Sequence, residues 1–206
     1  DGWLLGFSNC VVDLRTGQSR QGLPDDRITM RCGVPFDPTA KAPHWGKFVH
    51  EIFEGDEEKI AYIQRAYGYS ITDDCREECL FLANGTGSNG KGTLMNTVAK
   101  AMGDYSDDVP FSMLEQQERS NIPSDVAKTD GKRIITSAET SETKRLNEAR
   151  VKALTGRDPI TARFMYQDFF TFQPVAKFWL STNGRPEVHD DSEGFWRRIQ
   201  LIPFNM

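Results

Sequence analysis

A glycine-rich segment at residues 85–93 constrains the fold of this chain more than any other feature. It follows an apolar run at residues 79–83 and opens a predicted helix, and it reads Gly85-Thr86-Gly87-Ser88-Asn89-Gly90-Lys91-Gly92-Thr93. Glycines let the backbone wrap closely around phosphate oxygens, the helix N-terminus adds partial positive charge, and Lys91 can reach the β- and γ-phosphates of a nucleotide. The segment therefore predicts a phosphate-binding loop between a strand and a helix. A glycine-rich turn with an unrelated lysine would not explain why strand, loop and helix agree.

The residue after the lysine departs from the usual pattern of such loops. Ser or Thr is normal at that position, but this chain has Gly92, and the hydroxyl comes one residue later at Thr93. Two alternatives stay open for Thr93. It binds Mg²⁺ directly, or it contacts a phosphate while water molecules complete the shell of the metal.

Two polar residues stand directly after other predicted strands. Glu139 follows the apolar strand at residues 133–138, where phosphate-loop ATPases place an acid that holds magnesium or orients the attacking water. Asn183 follows the strand at residues 176–181, at the edge where open α/β sheets bind ligands, and can donate to the γ-phosphate or position water. The alternatives are a solvated carboxylate for Glu139 and a turn residue for Asn183.

A pair of arginines, Arg197 and Arg198, precedes the last predicted strand. A guanidinium in such a place can neutralise the phosphate that is transferred in the site of a neighbouring subunit. The pair can instead make surface salt bridges.

The alternation of strands and helices from residue 79 onward predicts an α/β fold with a parallel sheet. Strands are expected at residues 79–83, 133–138, 176–181 and 199–203, and helices at 91–102, after Ser112 with Glu115 in capping-box spacing, at 124–128 and at 146–155. The first part contains an extended piece at residues 10–14 and then two helices. One begins at Pro43 and ends at Gly55, and the other is capped by Asp56 and ends before Gly68. We expect this part to be a small, mainly helical domain.

Composition and charge narrow the class of protein. The formal net charge is −5, yet residues 128–163 carry nine basic and five acidic side chains, a local excess of four positive charges. This excess fits either a basic channel lining or ordinary solvated helix faces. No apolar run approaches the roughly 20 residues that span a bilayer, no signal peptide is visible, and four cysteines lack a paired spacing. We expect a cytoplasmic protein without a membrane segment. Because Asp1 takes the place of an initiator methionine, we also expect a piece of a longer protein.

An ordered set of short motifs resembles a known family. The set comprises the glycine-rich loop, Glu139, Leu154-Thr155-Gly156-Arg157-Asp158, Ser181-Thr182-Asn183 and Phe195-Trp196-Arg197-Arg198-Ile199. In order and spacing it is similar to the superfamily 3 helicase domain of phage, plasmid and poxvirus primase-helicases. The segments 13–17, 45–48 and 67–70 resemble the domain that precedes this motor. The resemblance implies an N-terminal domain at residues 1–76 and an AAA+-like ATPase core at residues 77–206, truncated at its C-terminus. It further implies ATP with Mg²⁺, Asn183 as sensor, an arginine finger at Arg197 or Arg198, and a hexameric ring.

The same resemblance gives a role to residues 160–174, which are predicted to form a hairpin with Tyr166-Gln167-Asp168 at its tip. In the family this hairpin projects into the central channel and grips DNA. Because the tip has Gln167 and an acid where a lysine would suit DNA better, DNA contact is expected to shift to Arg163, Arg157 or Tyr166. Gln167 stays a further candidate at the tip. Packing of the hairpin explains Phe164, Phe170 and Phe172 better than DNA contact.

The combined sequence features predict an ATP-dependent DNA helicase motor that moves on single-stranded DNA as a ring. The expected location is the cytoplasm, which is that of a bacterial host if a phage or plasmid encodes the chain. A nucleotide or small-molecule kinase is the alternative, because Gly-Lys-Gly-Thr occurs in kinase loops. A non-catalytic assembly subunit that retains ATP is a second alternative. ATP turnover with and without single-stranded DNA distinguishes the three.

Overall fold

A five-stranded parallel sheet organises the chain in the computed structural model, which describes residues 2–116, 124–138, 145–184 and 192–206. Its strands are β4 (Leu80–Asn84), β5 (Ser106–Asp108), β6 (Ile134–Ala138), β9 (Lys177–Thr182) and β10 (Ile199–Pro203). They lie side by side in the order β10-β4-β9-β6-β5, and every neighbouring pair is parallel. The four predicted strands are confirmed to within one residue. Their apolar runs mark strands that are buried on both faces of the sheet.

The fifth strand, β5, was not predicted. Its residues, Ser-Asp-Asp, carry no apolar run, and the strand lies at the edge of the sheet beside β6. Edge strands are commonly short and charged, because this discourages pairing with other chains. Hydrophobic patterning alone therefore does not reveal such a strand.

The helices of the core are α3 (Lys91–Met102), α4 (Ser124–Ala127), α5 (Glu148–Thr155) and α6 (Glu193–Trp196). Helix α3 has the predicted bounds. Helix α5 begins two residues later than predicted, because the side chain of Asn147 accepts a hydrogen bond from the N–H of Arg150 at 2.9 Å and caps the helix.

The helix predicted after Ser112 is wrong. A single 3-10 turn at Phe111–Met113 follows Pro110 and buries Phe111 and Met113 in the core. Glu115, the expected partner in a capping box, forms an isolated antiparallel bridge with Leu146 instead. Burial of the apolar side chains overrides the local capping signal.

The first part of the chain contains a small antiparallel sheet as well as the two expected helices. The sheet comprises β1 (Leu4–Gly6), β2 (Val11–Asp13) and β3 (Gln18–Arg20), and the helices are α1 (Pro43–Ile52) and α2 (Glu57–Ser70). The prediction that α2 stops before Gly68 is wrong. The helix continues because the buried Ser70 hydroxyl donates to the carbonyl of Ala66 at 2.7 Å and accepts from Trp179 Nε1 at 3.1 Å.

Two hydrophobic clusters cover the two faces of the parallel sheet. Side chains alternate along a strand, so Phe81 and Ala83 of β4 join one cluster while Leu80 and Leu82 join the other. The first cluster also contains buried residues from β1, α1 and α2, whereas the second contains those of α5. The division at residue 76 stays a prediction, and described residues on both sides of it share one core.

The observed architecture confirms the predicted fold class, an α/β protein with a parallel sheet. A hairpin of β7 (Ile160–Ala162) and β8 (Phe170–Phe172) forms a separate two-stranded unit between α5 and β9. Among the described residues, no helix has the length and apolar character needed to cross a membrane.

Candidate nucleotide-binding site and nucleic-acid interface

The glycine-rich loop joins β4 to α3 at the carboxyl-end edge of the sheet, meaning the edge at which the parallel strands end. Gly85 fits against the segment after β10, because a Cβ atom there would lie 2.2 Å from the carbonyl oxygen of Phe204. Gly90 has a φ of 85°, and its Cβ would lie 2.5 Å from Cγ2 of Ile52 in α1. Both positions therefore require glycine, one for close approach and the other also for its backbone conformation.

The backbone of the loop offers several hydrogen-bond donors. The N–H groups of residues 86–90 donate to no acceptor within the described part of the chain. They precede the N-terminus of α3, a helix of 12 residues. Unpaired N–H groups beside a helix N-terminus form a site for anions, so the residues present fit a nucleotide phosphate.

Lys91 is buried, with 5% of its surface exposed. Its Nζ donates to the carbonyl oxygens of Gly85 at 2.6 Å and Thr86 at 3.3 Å and to Oδ1 of Asn89 at 2.9 Å. Burial lowers the pKa of the Lys91 ammonium group. Asn89 is itself held, because its Nδ2 donates to the carbonyl of Phe204 at 3.1 Å. The ammonium group is thus buried and hydrogen-bonded within the loop, close to the N–H groups that would bind a phosphate.

Asn183 lies exposed directly after β9, beside the first residues of the loop. The side chain that fixes this arrangement is Asn84, the last residue of β4. Its Nδ2 donates to Oγ1 of Thr182 at 3.2 Å and to the carbonyl of Gly184 at 2.8 Å. The structure therefore brings Asn183 and the glycine-rich loop together, as predicted. Asn84 was missed, although an asparagine between an apolar strand and the loop was a visible signal.

The structure describes one of the two candidate magnesium ligands, Thr93, and not the other, Glu139. Thr93 lies exposed in the first turn of α3. Glu139 lies outside the described residues. Within the described residues, no three His, Cys, Asp or Glu side chains form a cluster able to hold a metal ion. The assignments of Mg²⁺, Thr93 and Glu139 stay predictions.

Arg197 and Arg198 lie at the opposite, amino-end edge of the sheet, between α6 and β10. Ile199 pairs with Leu80 at the start of β4, so the length of that five-residue strand, about 16 Å, separates the pair from the loop of the same chain. Both guanidinium groups contact Oε2 of Glu78, Arg197 at 3.0 Å and Arg198 at 2.7 Å. The salt bridges considered from the sequence are present.

The candidate DNA contacts lie at the two ends of the hairpin. At the tip, Tyr166 is 98% exposed, Gln167 is exposed, and the Arg163 guanidinium lies 4.6 Å from the centre of the Phe169 ring. Arg157 lies at the base, with Nε 3.9 Å from Oε1 of Glu78.

The strands of the hairpin are shorter than predicted, and residues 163–169 connect them. Phe170 and Phe172 pack with their ring centres 5.8 Å apart, and Phe164 lies 5.8 Å from Phe170. Phe172 is buried, whereas Phe164 is 39% exposed. Packing of the hairpin therefore explains Phe170 and Phe172, as expected, and leaves Phe164 partly at the surface.

Comparisons with known proteins identify a family and viral relatives of this chain. Residues 83–198 match the family described as "Family of unknown function (DUF5906)", and residues 1–54 match "D5 N terminal like". The chain is 30% identical to "Putative helicase L207/L206" of Acanthamoeba polyphaga mimivirus over 98% of its own length and 22% of that protein. It is 28% identical to "Putative helicase 184R" of Invertebrate iridescent virus 6, again over 98% of its length and 22% of the relative. The chain thus spans about a fifth of the curated relatives that it matches.

A solved structure shares the fold. The structure described as "The A form apo structure of NrS-1 C terminal region-CTR" superposes with a TM-score of 0.63 at 17% identity, over 82% of this chain and 39% of that one. The chain therefore belongs to the family of unknown function DUF5906, and its D5 N terminal-like first part and viral relatives place it with the phage- and virus-type primase-helicases of superfamily 3.

Proposed function

We propose that this chain is the ATP-hydrolysing motor of a replication helicase and moves on single-stranded DNA as a ring of identical subunits. One observation carries the proposal. A glycine-rich loop with unpaired N–H groups and a buried lysine lies beside Asn183 at one edge of the sheet, while the arginine pair lies at the other.

The loop supports the nucleotide part of the proposal. ATP phosphates would accept hydrogen bonds from the N–H groups of residues 86–90, and Lys91 would exchange its loop oxygens for phosphate oxygens. Asn183, held near the loop by Asn84, would orient the γ-phosphate or the attacking water. Bound Mg²⁺ would neutralise charge on the phosphates, and Thr93 and Glu139 are the residues that we assign to its shell.

The position of the arginines supports the ring. Since about 16 Å of strand separates Arg197 and Arg198 from their own loop, they serve a nucleotide only when it is bound to a neighbouring subunit. A hexamer places every such edge against the loop of the next subunit. The ring is therefore the assembly in which both edges of the sheet contribute to hydrolysis.

The hairpin tip supports contact with single-stranded DNA. Tyr166 projects almost fully into solvent, and Arg163 adds a positive charge beside the exposed ring of Phe169. Aromatic rings stack on unpaired bases, and guanidinium groups bind phosphates, so this combination suits a flexible single strand. The viral relatives, which are named as helicases and primases, favour this function over a small-molecule kinase.

Mixed assemblies provide the decisive experiment. Neither Lys91→Met chains nor Arg197→Ala/Arg198→Ala chains are expected to hydrolyse ATP alone. A mixture should recover part of the turnover, because some interfaces then pair an intact loop with intact arginines. Single-stranded DNA should stimulate the wild-type rate.

Sedimentation and co-purification of differently tagged chains must show that mixed oligomers form. Mixed oligomers without recovered turnover contradict the arginine acting between subunits, and a protein that forms no oligomer contradicts the ring. A rate that ignores DNA while a small molecule is phosphorylated would identify a kinase. Absence of turnover would identify an assembly subunit.

A further inference from the structure

Glu78 contacts three arginines that come from two separate segments of the chain. It stands two residues before β4, at the amino-end edge of the sheet, and its backbone φ is 47°. Arg157 reaches it from the base of the hairpin, and Arg197 and Arg198 reach it from the segment before β10. A side chain in the left-handed region is disfavoured for a residue other than glycine. The local backbone therefore gives no reason for a glutamate at this position.

The three arginines are held to different degrees. Arg198 has 12% of its side chain exposed and also donates from Nη1 to the carbonyl of Gly194, so it is anchored. Arg197 has 63% exposed, and the carboxylate of Glu78 is its ion-pair partner among the described residues. Arg157 is 58% exposed, its Nε lies 3.9 Å from Oε1 of Glu78, and its Nη2 donates to the carbonyl of Arg76 at 3.2 Å. The geometry distinguishes an anchored arginine from one that is presented to solvent.

We propose that Glu78 is a positioning residue that presents Arg197 to the nucleotide site of the neighbouring subunit and couples it to Arg157 at the base of the hairpin. This inference rests on the proposed function. It assigns the finger to Arg197, with Arg198 as its structural neighbour, and it makes one carboxylate the link between the subunit interface and the DNA-facing hairpin.

Charge explains how the link works. One carboxylate faces three guanidinium groups, so two positive charges remain uncompensated within the group. Exposed ion pairs are weak, whereas a guanidinium binds a phosphate strongly and with two hydrogen bonds. A phosphate in the neighbouring subunit can therefore draw Arg197 away from Glu78. The released carboxylate then attracts Arg157 more strongly, and the base of the hairpin follows.

The test compares Glu78→Gln with Glu77→Gln, a matched loss of charge one residue away. Glu77 lines the same surface pocket and makes no ion pair with the described residues. We expect Glu78→Gln to lower ATP turnover at least about tenfold, because a misplaced finger loses part of a contribution of about 10³ or more. Glu77→Gln should change it little. Glu78→Gly, which removes the backbone strain at φ 47°, should show the same loss in a folded protein.

Mixed oligomers separate positioning from a general structural role. If Glu78 acts through Arg197, then Glu78→Gln chains should recover turnover when mixed with Lys91→Met chains but not when mixed with Arg197→Ala chains. In a Glu78→Gln background, Arg157→Ala should no longer alter stimulation by single-stranded DNA, since the link is already broken.

Three outcomes would overturn the inference. One is a Glu78→Gln variant that behaves like Glu77→Gln. Another is an inactive Glu78→Gln chain that is rescued by Arg197→Ala chains, because Glu78 would then serve the loop of its own subunit. The third is an unchanged effect of Arg157→Ala in the Glu78→Gln background. Failure of Arg197→Ala to complement Lys91→Met identifies the arginine assignment itself as wrong, and the role of Glu78 falls with it.

Discussion

Two buried lysines lie at opposite edges of the same sheet and make the same kind of contacts. Lys91 is 5% exposed at the carboxyl-end edge, and Lys177 is 2% exposed at the amino-end edge. Each ammonium group donates to three oxygens, and neither has a carboxylate partner among the described residues. Burial lowers the pKa of both. Burial and hydrogen bonding alone therefore do not tell a functional lysine from a structural one.

The difference lies in the segments that supply the oxygens. Lys177 donates to the carbonyls of Thr72 at 2.5 Å, Val175 at 3.0 Å and Asp74 at 3.2 Å, and its Nζ lies 5.0 Å from the centre of the Tyr69 ring. These oxygens belong to segments between packed elements. The partners of Lys91 belong to a loop whose residues 86–88 are exposed and whose N–H groups are unpaired.

A second buried cation strengthens the contrast. Arg133, just before β6, donates to the carbonyls of Ile71 at 2.6 Å and Leu4 at 2.7 Å. Its guanidinium lies 4.8 Å from the centre of the Tyr105 ring. Together with Lys177 it fastens the first part of the chain to the amino-end edge of the sheet. The amino-end edge uses cations to hold backbone, whereas we propose that the carboxyl-end edge uses one to bind phosphate.

The largest expected effect comes from replacing Lys91. We expect Lys91→Met to reduce ATP turnover by at least about 100-fold, since removal of one donor to a transferring group typically costs about 10²–10³ in rate. The midpoint of thermal unfolding should change little, because water can reach the exposed loop and replace the ammonium group. Steady-state turnover and differential scanning calorimetry measure the two quantities. Retained turnover in the folded variant would show that the two lysines do not differ in the way proposed.

The same substitution at Lys177 should have the reverse effect. Lys177→Met leaves buried carbonyls without a donor, so we expect the free energy of unfolding to fall by about 1–3 kcal/mol. For a chain of this size, each kcal/mol lowers the melting temperature by about 2–4 °C. Turnover per folded chain should stay unchanged. Lys47→Met, at a lysine whose side chain is 76% exposed, is the control for the loss of charge. Wild-type stability in Lys177→Met would mean that Lys177 does not fasten the first part of the chain.

The pH dependence of stability is a second test of whether Lys177 is buried as a structural cation. Burial lowers its pKa to about 8 from an ordinary value of 10.5. The unfolded chain therefore binds this proton more tightly than the folded protein, and stability rises with pH between about 8 and 10.5, by at most about 1.4 kcal/mol per pH unit. Hence the stability difference between wild type and Lys177→Met should grow as the pH is raised through this window.

Two buried thiols make the comparison with the variant necessary. Burial raises the pKa of Cys79 to about 11 and that of Cys32 to about 12, so both thiols lower stability as the pH rises above 9. Burial is the largest cause of both shifts and acts alike in wild type and Lys177→Met, so its effect cancels in the difference, whereas the smaller effect of the Lys177 charge on the pKa of Cys79 does not. Chemical denaturation of both proteins from pH 7 to 10 measures the difference in their free energies of unfolding. A difference that stays constant with pH would show that Lys177 titrates as it does in the unfolded chain.

The comparison of the two lysines also shows how much of the fold and of the candidate site the sequence predicts. The loop, α3 and β10 were predicted with their bounds, because glycine pattern, lysine and apolar runs all act locally. The roles of Lys177 and Glu78 were not predicted. Lys177 was assigned only to a strand, and two of the three carbonyls that it binds are about 100 residues away in the chain. Glu78 meets its arginines across 79 to 120 positions. Such contacts depend on the order of strands in the sheet, which no local pattern encodes.

The smallest expected effect tests whether the amino-end edge does more than hold the first part of the chain. The hairpin joins this edge through the residues between β8 and β9, and Arg163 stands near its tip, over the ring of Phe169. A lost phosphate contact lowers the slope of log affinity against log salt concentration by about one. We therefore expect Arg163→Ala to reduce this slope for single-stranded DNA by that amount. It should also lower DNA-stimulated ATP turnover more than basal turnover. Arg15→Ala, at an exposed arginine beside β2 in the small first sheet, is the matched control. Fluorescence anisotropy across salt concentrations measures the slopes. Equal slopes for wild type and Arg163→Ala would assign DNA binding to another surface. The amino-end edge would then hold the first part of the chain and carry the arginine pair, without contacting DNA through Arg163.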